Sequence, residues 1–387
     1  VHRFTRAYGS EVLGLDTVDQ IVLREAISRV YRQRVLPDFD IAHSTHVLSF
    51  GADFLGTWLD PTHFSRGYGE FRHGHGHRGH LVHVDTRFSV TAAAADQWVY
   101  VSPGTEGVLA LSIASVIIKE DLAKDKSAVR ALTGGNPRAL RAFEPERVAG
   151  QLGLDVKVIE KIARDFSSAE RPLAIGGGSA GAHTNGLFNL SAVYALNYLV
   201  KAVNRPGGVI FNPDPDASHI AGASIRKWSA AVNAMQSGQI KVLLVRDANI
   251  EYGLPKGLNA RAAIGQVETV VSFSSFLDET TADADLILPG TTPLEEWGTD
   301  VPDPGPGYAT IGFQQPVINR YREALSFGDV LIATANTLGL EIGSSNGKPW
   351  STMRESVQGV ARRLHQSKSG SVVAPSFAEF WKQSLEQ

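Results

Sequence analysis

Five histidines, His73, His75, His77, His80 and His83, crowd one short stretch of this chain. Imidazoles at that density can ligate a transition metal. Two features oppose it. Alternating glycines leave the spacing without fixed geometry, and Arg72 and Arg78 would repel a cation. The residues favour a solvated loop, or one that contacts a partner protein. His80 and His83 fall on a strand-like run and should point to its opposite faces.

Four other segments carry groups suited to ligand binding. Ser49-Phe50-Gly51-Ala52-Asp53 ends a strand in a glycine turn, and ligands of open α/β sheets bind at such strand ends. Asp85-Thr86-Arg87 ends the next strand, offering an acid to a ribose or base edge and a guanidinium to a phosphate. Pro103-Gly104-Thr105-Glu106-Gly107 feeds a turn into a helix, with Thr105 as a natural N-cap and backbone N–H groups free for an anion. The run from Ile175 to Gly186 is a glycine-rich strand-to-helix loop whose backbone can approach a ligand or a neighbouring segment. It matches neither the dinucleotide fingerprint nor a P-loop. Each has a plain structural explanation as well: a turn, a surface ion pair, a cap, a close packing. No His-Glu-x-x-His motif occurs, and the adjacent Glu295 and Glu296 diverge in regular structure.

The elements that must hold these groups alternate. Strands are expected at His46–Gly51, His80–Asp85, Trp98–Val101, Pro172–Gly176, Lys241–Asp247, Val267–Phe273 and Leu286–Pro289, all apolar in the manner of parallel strands covered on both faces. Helices are expected at Glu106–Lys119, Pro145–Gly153, Val156–Ser167 and Asn189–Ala202. This rhythm predicts an α/β chain with two doubly wound, mostly parallel sheets and a cleft between them. The turn-rich run from Asn204 to Asp216 marks a crossover. Residues 36–212 are expected to form one lobe, 1–35 plus 213–365 the second, and 366–387 a C-terminal segment. Asp300–Gly307, rich in proline and glycine, should be an exposed loop.

At 387 residues the chain exceeds one core, and its 43% hydrophobic and 20% charged composition is globular. A net charge of -3 gives no electrostatic case for nucleic acid. No cysteine occurs, so these residues supply no disulfide, thiolate metal site or iron–sulfur ligation. No run approaches the roughly 20 apolar residues of a membrane span. Val1 at the start, with no leader pattern after it, suggests a piece of a longer polypeptide.

Taken in order, the segments resemble the molybdopterin oxidoreductase superfamily, the group of dimethyl sulfoxide reductase, formate dehydrogenase and nitrate reductase. His46–Asp53 is similar to its strand ending in Gly-Ser-Asn, and Val84–Arg87 to its Asp-Pro-Arg. Pro103–Gly107 resembles Pro-Gly-Thr-Asp, and Arg205–Gly208 resembles Gly-Arg-Pro-Gly-Gly. Glu279–Pro289 followed by Leu294–Thr299 resembles Glu-Thr-Ala-x-x-Ala-Asp-Val-Val-Leu-Pro and Glu-x-x-Gly-Thr. The resemblance implies two lobes that grip two pterin dinucleotides around molybdenum or tungsten. Gly51, Asp85, Arg87, Gly104, Thr105 and Glu106 would face one dinucleotide, and Asn249, Glu279 and Thr280 the other.

Departures from that pattern point to a branch. The Asn after Gly-Ser is Asp53, a carboxylate where a pyrophosphate would lie. The guanine-binding Asp is Glu106, the Pro of Asp-Pro-Arg is Thr86, and residues 1–34 offer only hydroxyls such as Ser10, Thr17 and Ser28 where a metal-ligating Cys or selenocysteine is usual. The cluster motif and C-terminal barrel of the family are also missing from these residues. Tyr68-Gly69-Glu70-Phe71-Arg72, Arg78-Gly79 and Val84–Arg87 look like the iron–sulfur subunit of alternative complex III, whose molybdopterin-oxidoreductase-like part carries no pterin. That resemblance implies a non-catalytic scaffold without a metal cofactor of its own. It would lie on the periplasmic face of a quinol-oxidising membrane complex. Its neighbours would be an iron–sulfur ferredoxin-like part, a multihaem cytochrome c and integral membrane quinol-binding subunits. An active enzyme carrying molybdenum bis-pterin guanine dinucleotide remains the alternative.

Overall fold

The computed structural model describes every residue except 17–19, 74–75, 77, 137, 214–221, 346, 369 and 387. His75, His77, Thr17 and the end of the crossover at 214–216 therefore lie outside the described residues. Two compact units form, and the fold is the expected mixture of helices and parallel sheets. The larger unit comprises 20–215 and 302–310; the smaller comprises 1–19, 216–301 and 311–387.

The larger unit contains β1 (Asp38–Phe39), β2 (His46–Phe50), β3 (His80–Val84), β4 (Gln97–Val99), β5 (Pro172–Gly176) and β6 (Val209–Ile210). Four of them make a parallel sheet in the order β4-β3-β2-β5, while β1 and β6 pair antiparallel. Every side chain of β2 and β5 is buried. Helices explain this. Glu106–Lys119 and Gly186–Leu199 are apolar nearly all round, as helices clamped inside a core must be. Val156–Ser168 is instead amphipathic, capped by the Asp155 carboxylate, and buries Ile159, Ile162 and Phe166. Gly153, at φ 69°, ends the helix before it in the left-handed conformation that glycine tolerates.

Polar side chains stitch these layers. Asn197 treats the edge of β5 as a strand would: its Oδ1 accepts from Ala174 N at 2.9 Å and its Nδ2 donates to Ala174 O at 2.8 Å. The same Nδ2 donates to Tyr31 Oη, which donates to Tyr194 O at 2.9 Å. Tyr31 belongs to helix Ile21–Tyr31, whose buried Leu23, Ala26 and Ile27 bind residues 20–35 into this unit. The composition break groups them with 213–365 instead, because it cannot see that packing. Stretch 302–310 also differs from an exposed loop. Asn212 Nδ2 donates to Leu36 O and Gly305 O, Gly307 N donates to Asn212 Oδ1, and Arg24 pairs with Asp303 at 2.6 Å. An amide and an ion pair thus tie it down.

In the smaller unit β7 (Val242–Val245), β8 (Thr269–Ser272) and β9 (Leu286–Ile287) are parallel and adjacent in that order. Val245 and Val270 pack against Trp228, Met235, Ile250 and Ala263. Coverage of both faces fails here, since Val242 and Leu244 are 50% and 42% exposed. Residues 366–387 contribute helix Phe377–Glu386 to this unit, with Phe380 against His365. Among the described residues, no helix is long and apolar enough to cross a membrane.

Candidate functional site

The expected site residues of the larger unit gather at the C-terminal edge of its sheet. Gly51 follows β2 at φ +64°, and a Cβ there would meet Ser179 Oγ at 2.4 Å and Ala180 N at 2.6 Å. Gly178, at φ +48°, would place a Cβ 2.3 Å from Gly51 O. Two left-handed glycines therefore let the β2 and β5 turns cross. A Cβ on Gly177 would strike the indole of Trp58. Of the two uses open to this glycine-rich loop, the described residues realise close approach of one segment to another.

Asp53 carries the turn's charge, and it is satisfied from within. Its Oδ1 accepts from Thr91 N at 3.1 Å and from Thr91 Oγ1 at 2.7 Å, and its Oδ2 faces Arg87 Nη2 at 3.1 Å. Arg87 is thus engaged with Asp53, away from the Asp85 carboxylate beside it. Asp85 is fully buried, so the surface-pair reading fails. It accepts from Ser179 Oγ at 2.8 Å and Thr86 N at 2.7 Å, and it lies 3.4 Å from His83 Nε2. Those hydrogen bonds outweigh burial and hold its pKa below the usual carboxylate value. His83 Nδ1 in turn sits 3.0 Å from Ser49 Oγ. Ser49 is wholly buried, so this Ser-His-Asp chain lies inside the core.

At the third turn, Thr105 does not cap its helix; its hydroxyl donates to Ser102 O at 2.7 Å. The free N–H of Gly107 is taken instead by Asn189 Oδ1 at 3.1 Å, and Asn189 Nδ2 donates to Glu106 Oε2 at 3.0 Å and Ala180 O at 3.1 Å. Gly104 O accepts from Asn185 Nδ2 at 2.7 Å. Glu106 is buried, its Oε1 has no partner, and burial raises its pKa. Sequence reasoning passes over Thr91, Trp58 and Asn189. A polar residue inside an otherwise apolar helix is the available signal for Asn189; nothing local marks Thr91.

The remaining expected residues form their own group in the smaller unit, after β7 and β8. Asn249 Nδ2 donates to Glu279 Oε2 at 2.5 Å, and Thr280 Oγ1 donates to Asn249 Oδ1 at 3.1 Å. The Asn249 partner holds the Glu279 carboxylate below its usual pKa.

The histidine segment divides. His73 is exposed at the end of helix Pro61–His73. His80 and His83 do face opposite ways: the His80 ring lies 5.0 Å from that of His46, and His83 is on the Ser49 side. Arg72 is no loop cation. It is buried, 2.5 Å from Asp96, and donates to Tyr68 Oη, Gly79 O and Ala94 O. Arg78 reaches the same Asp96 at 3.2 Å. Among the described residues no group of three or more His, Asp or Glu converges as a metal site.

A family model described as molybdopterin oxidoreductase matches residues 3–316. The chain is 32% identical over 319 residues to the menaquinone reductase, molybdopterin-binding-like subunit, of Nitratidesulfovibrio vulgaris, over 79% of this chain and 45% of that protein. It is 25% identical over 348 residues to the molybdopterin-containing subunit of an arsenate respiratory reductase from Shewanella sp., over 73% of this chain and 40% of that one. Among solved structures it resembles acetylene hydratase from Pelobacter acetylenicus, with a TM-score of 0.70 at 20% identity, over 88% of this chain and 53% of the other. The chain spans less than half the length of both curated relatives.

Proposed function

Because this chain belongs to the molybdopterin oxidoreductase family, we propose that it is a scaffold that uses the family's frame without holding the family's metal–pterin group. The observation that carries this reading is the internal satisfaction of Asp53. A pyrophosphate at the β2 turn would meet a carboxylate, and like charges at close range repel. The guanidinium beside it, that of Arg87, is already paired with that carboxylate.

The other donors agree. One helix N–H that could hold a phosphate, that of Gly107, is bound to Asn189, and the spaces over Gly51 and Gly177 are filled by Ser179 and Trp58. These residues therefore do not fit the phosphate end of a pterin dinucleotide. The chain also has no cysteine to offer a metal. One group fits the guanine end, the open Oε1 of Glu106, and it favours the second reading, an active molybdenum or tungsten bis-pterin oxidoreductase.

Similarity to a menaquinone reductase subunit called molybdopterin-binding-like motivates the wider assignment. We assign the chain to a membrane-bound quinol-oxidising electron-transfer complex of the alternative complex III type, on the periplasmic face. Its iron–sulfur clusters and haem c would sit in a ferredoxin-like part and a multihaem cytochrome, next to integral membrane quinol-binding subunits. In that setting the rigid α/β frame serves as a platform, since a binding fold does not itself establish chemistry.

Elemental analysis with pterin extraction on the protein purified from its native membrane tests this. The scaffold reading expects molybdenum and tungsten far below one equivalent and no extractable pterin. Stoichiometric metal with pterin would replace it by the active enzyme.

A further inference from the structure

A concavity lies in the larger unit, lined by none of the strand-end residues described above. It has a volume of about 260 Å³ and is walled by Phe39, Ile41, Phe64, Ile210 and Pro306. Two carboxylate–imidazole pairs line it. Asp38 Oδ1 is 3.0 Å from His63 Nε2, and Asp40 Oδ1 is 2.8 Å from His43 Nδ1. Asp38 and Asp40 are two apart on an extended stretch, so they project to the same side. Asp40 Oδ2 also accepts from Gly207 N at 2.8 Å. Asp38 is only 7% exposed, and its Oδ2 has no hydrogen-bond partner among the described residues. It faces Gly307, where a Cβ would lie 3.7 Å away.

We propose that this cavity binds an alkylguanidinium group, with the cation on Asp38 and Asp40 and its carbon stem against Phe39, Phe64, Ile210 and Pro306. Charge decides the sign of the ligand, since Asp38, Asp40 and Asp60 surround His63. A metal ion is disfavoured, because no three donors converge among the described residues. Guanidinium suits the site better than ammonium. Its planar fork matches a carboxylate, it stacks on aromatic walls, and it loses less hydration on burial. A volume of this size admits one side chain or one small amine, so agmatine-like molecules and an arginine of a docked protein share the same chemistry.

Competition from His63 adds a pH signature. Its hydrogen bond to Asp38 raises its pKa, helped by the charges of Asp38, Asp60 and Asp40, and His43 is the other titrating group facing the cavity. The protonated imidazole occupies Asp38; the neutral one releases it. Guanidinium binding should therefore tighten as pH rises from about 6 to about 8.

Calorimetric titration of the 387-residue chain with agmatine, with an acetylated arginine tripeptide and with uncharged pentylurea tests the proposal. Saturable binding is expected for the two cations, with pentylurea weaker by about tenfold or more. Asp38→Asn should weaken agmatine by about tenfold. Asp38 sits beside a strand pair and its loss could disturb folding, so Gly67→Leu provides a second variant. Gly67 lines the cavity with its added Cβ no closer than 3.5 Å to Ala42, so leucine fits the helix and fills the space. It should abolish binding with the carboxylates intact. Equal affinity of agmatine and tripeptide identifies a free small molecule, and a tripeptide tighter by about tenfold identifies a protein arginine. Pentylurea binding as well as agmatine, no saturable heat from any cation, or unchanged affinity in Gly67→Leu would each overturn the proposal.

Discussion

Arg87 Nη2 lies 3.1 Å from Asp53 Oδ2, so the acid at the β2 turn and the base at the β3 turn neutralise each other. The two ends of this pair differ in environment. The Arg87 side chain is 61% exposed, that of Asp53 only 7%. Solvent screens the guanidinium, while Thr91, wholly buried, gives Asp53 two hydrogen bonds and takes one from Leu55 N at 3.1 Å.

Magnitudes then rank two substitutions. Arg87→Ala should cost under about 1 kcal/mol, the range of an exposed pair. Thr91→Val leaves a buried carboxylate and an amide short of partners and should cost about 2–3 kcal/mol. Urea denaturation of both variants checks the order; a larger loss for Arg87→Ala would mean that the ion pair dominates.

Asn189 joins three segments through one amide. Asn189→Leu keeps the volume but strips Gly107 N and Ala180 O of their partners and leaves Glu106 more exposed to its own desolvation. A loss of about 3 kcal/mol or more is expected, at the upper end for buried polar groups. Thermal unfolding at neutral pH measures it.

Glu106 should be a liability for stability. Its pKa is raised, so the folded state holds a proton over a window in which the unfolded chain has released it. Its contribution is full below the unfolded pKa and is lost as pH rises through the folded one. Glu106→Gln removes the buried charge and should raise stability at neutral pH by about 1 kcal/mol. A pH series of denaturation midpoints reads this. A marked loss of stability, confined to protein purified from its native source, would instead indicate a bound group that uses the acid.

His46 predicts the opposite slope. Burial, with a smaller push from His80, lowers its pKa to about 4. The folded state then binds fewer protons than the unfolded one as pH falls below the ordinary histidine value. Stability should decline over that window by roughly 3 kcal/mol in total, at about 1.4 kcal/mol per unit. His46→Phe should flatten this segment of the stability–pH profile while leaving the neutral plateau nearly unchanged.

Much of the frame is legible in the residues alone. The apolar runs at His46, His80, Pro172 and Val267 become strands, because a run with no polar face has few other stable fates. The helix expected at Asn189 begins three residues earlier, at Gly186, where Gly181 O leaves no room for a side chain. Thr105 shows the limit: a good capping residue by type, it loses the cap to Asn189, eighty-two positions further along the chain from Gly107.

The sequence by itself determined the family, the alternation of strands and helices, and the acid at position 53. Those follow from local composition and from motif order, which need no knowledge of what lies opposite. Tertiary structure alone decided which partner each polar group found. Arg87 took Asp53, Arg72 took Asp96, Asn189 took a helix end, and two glycines met each other. Buried polar atoms must be paired at close range, and close range between distant residues is set only when the layers pack.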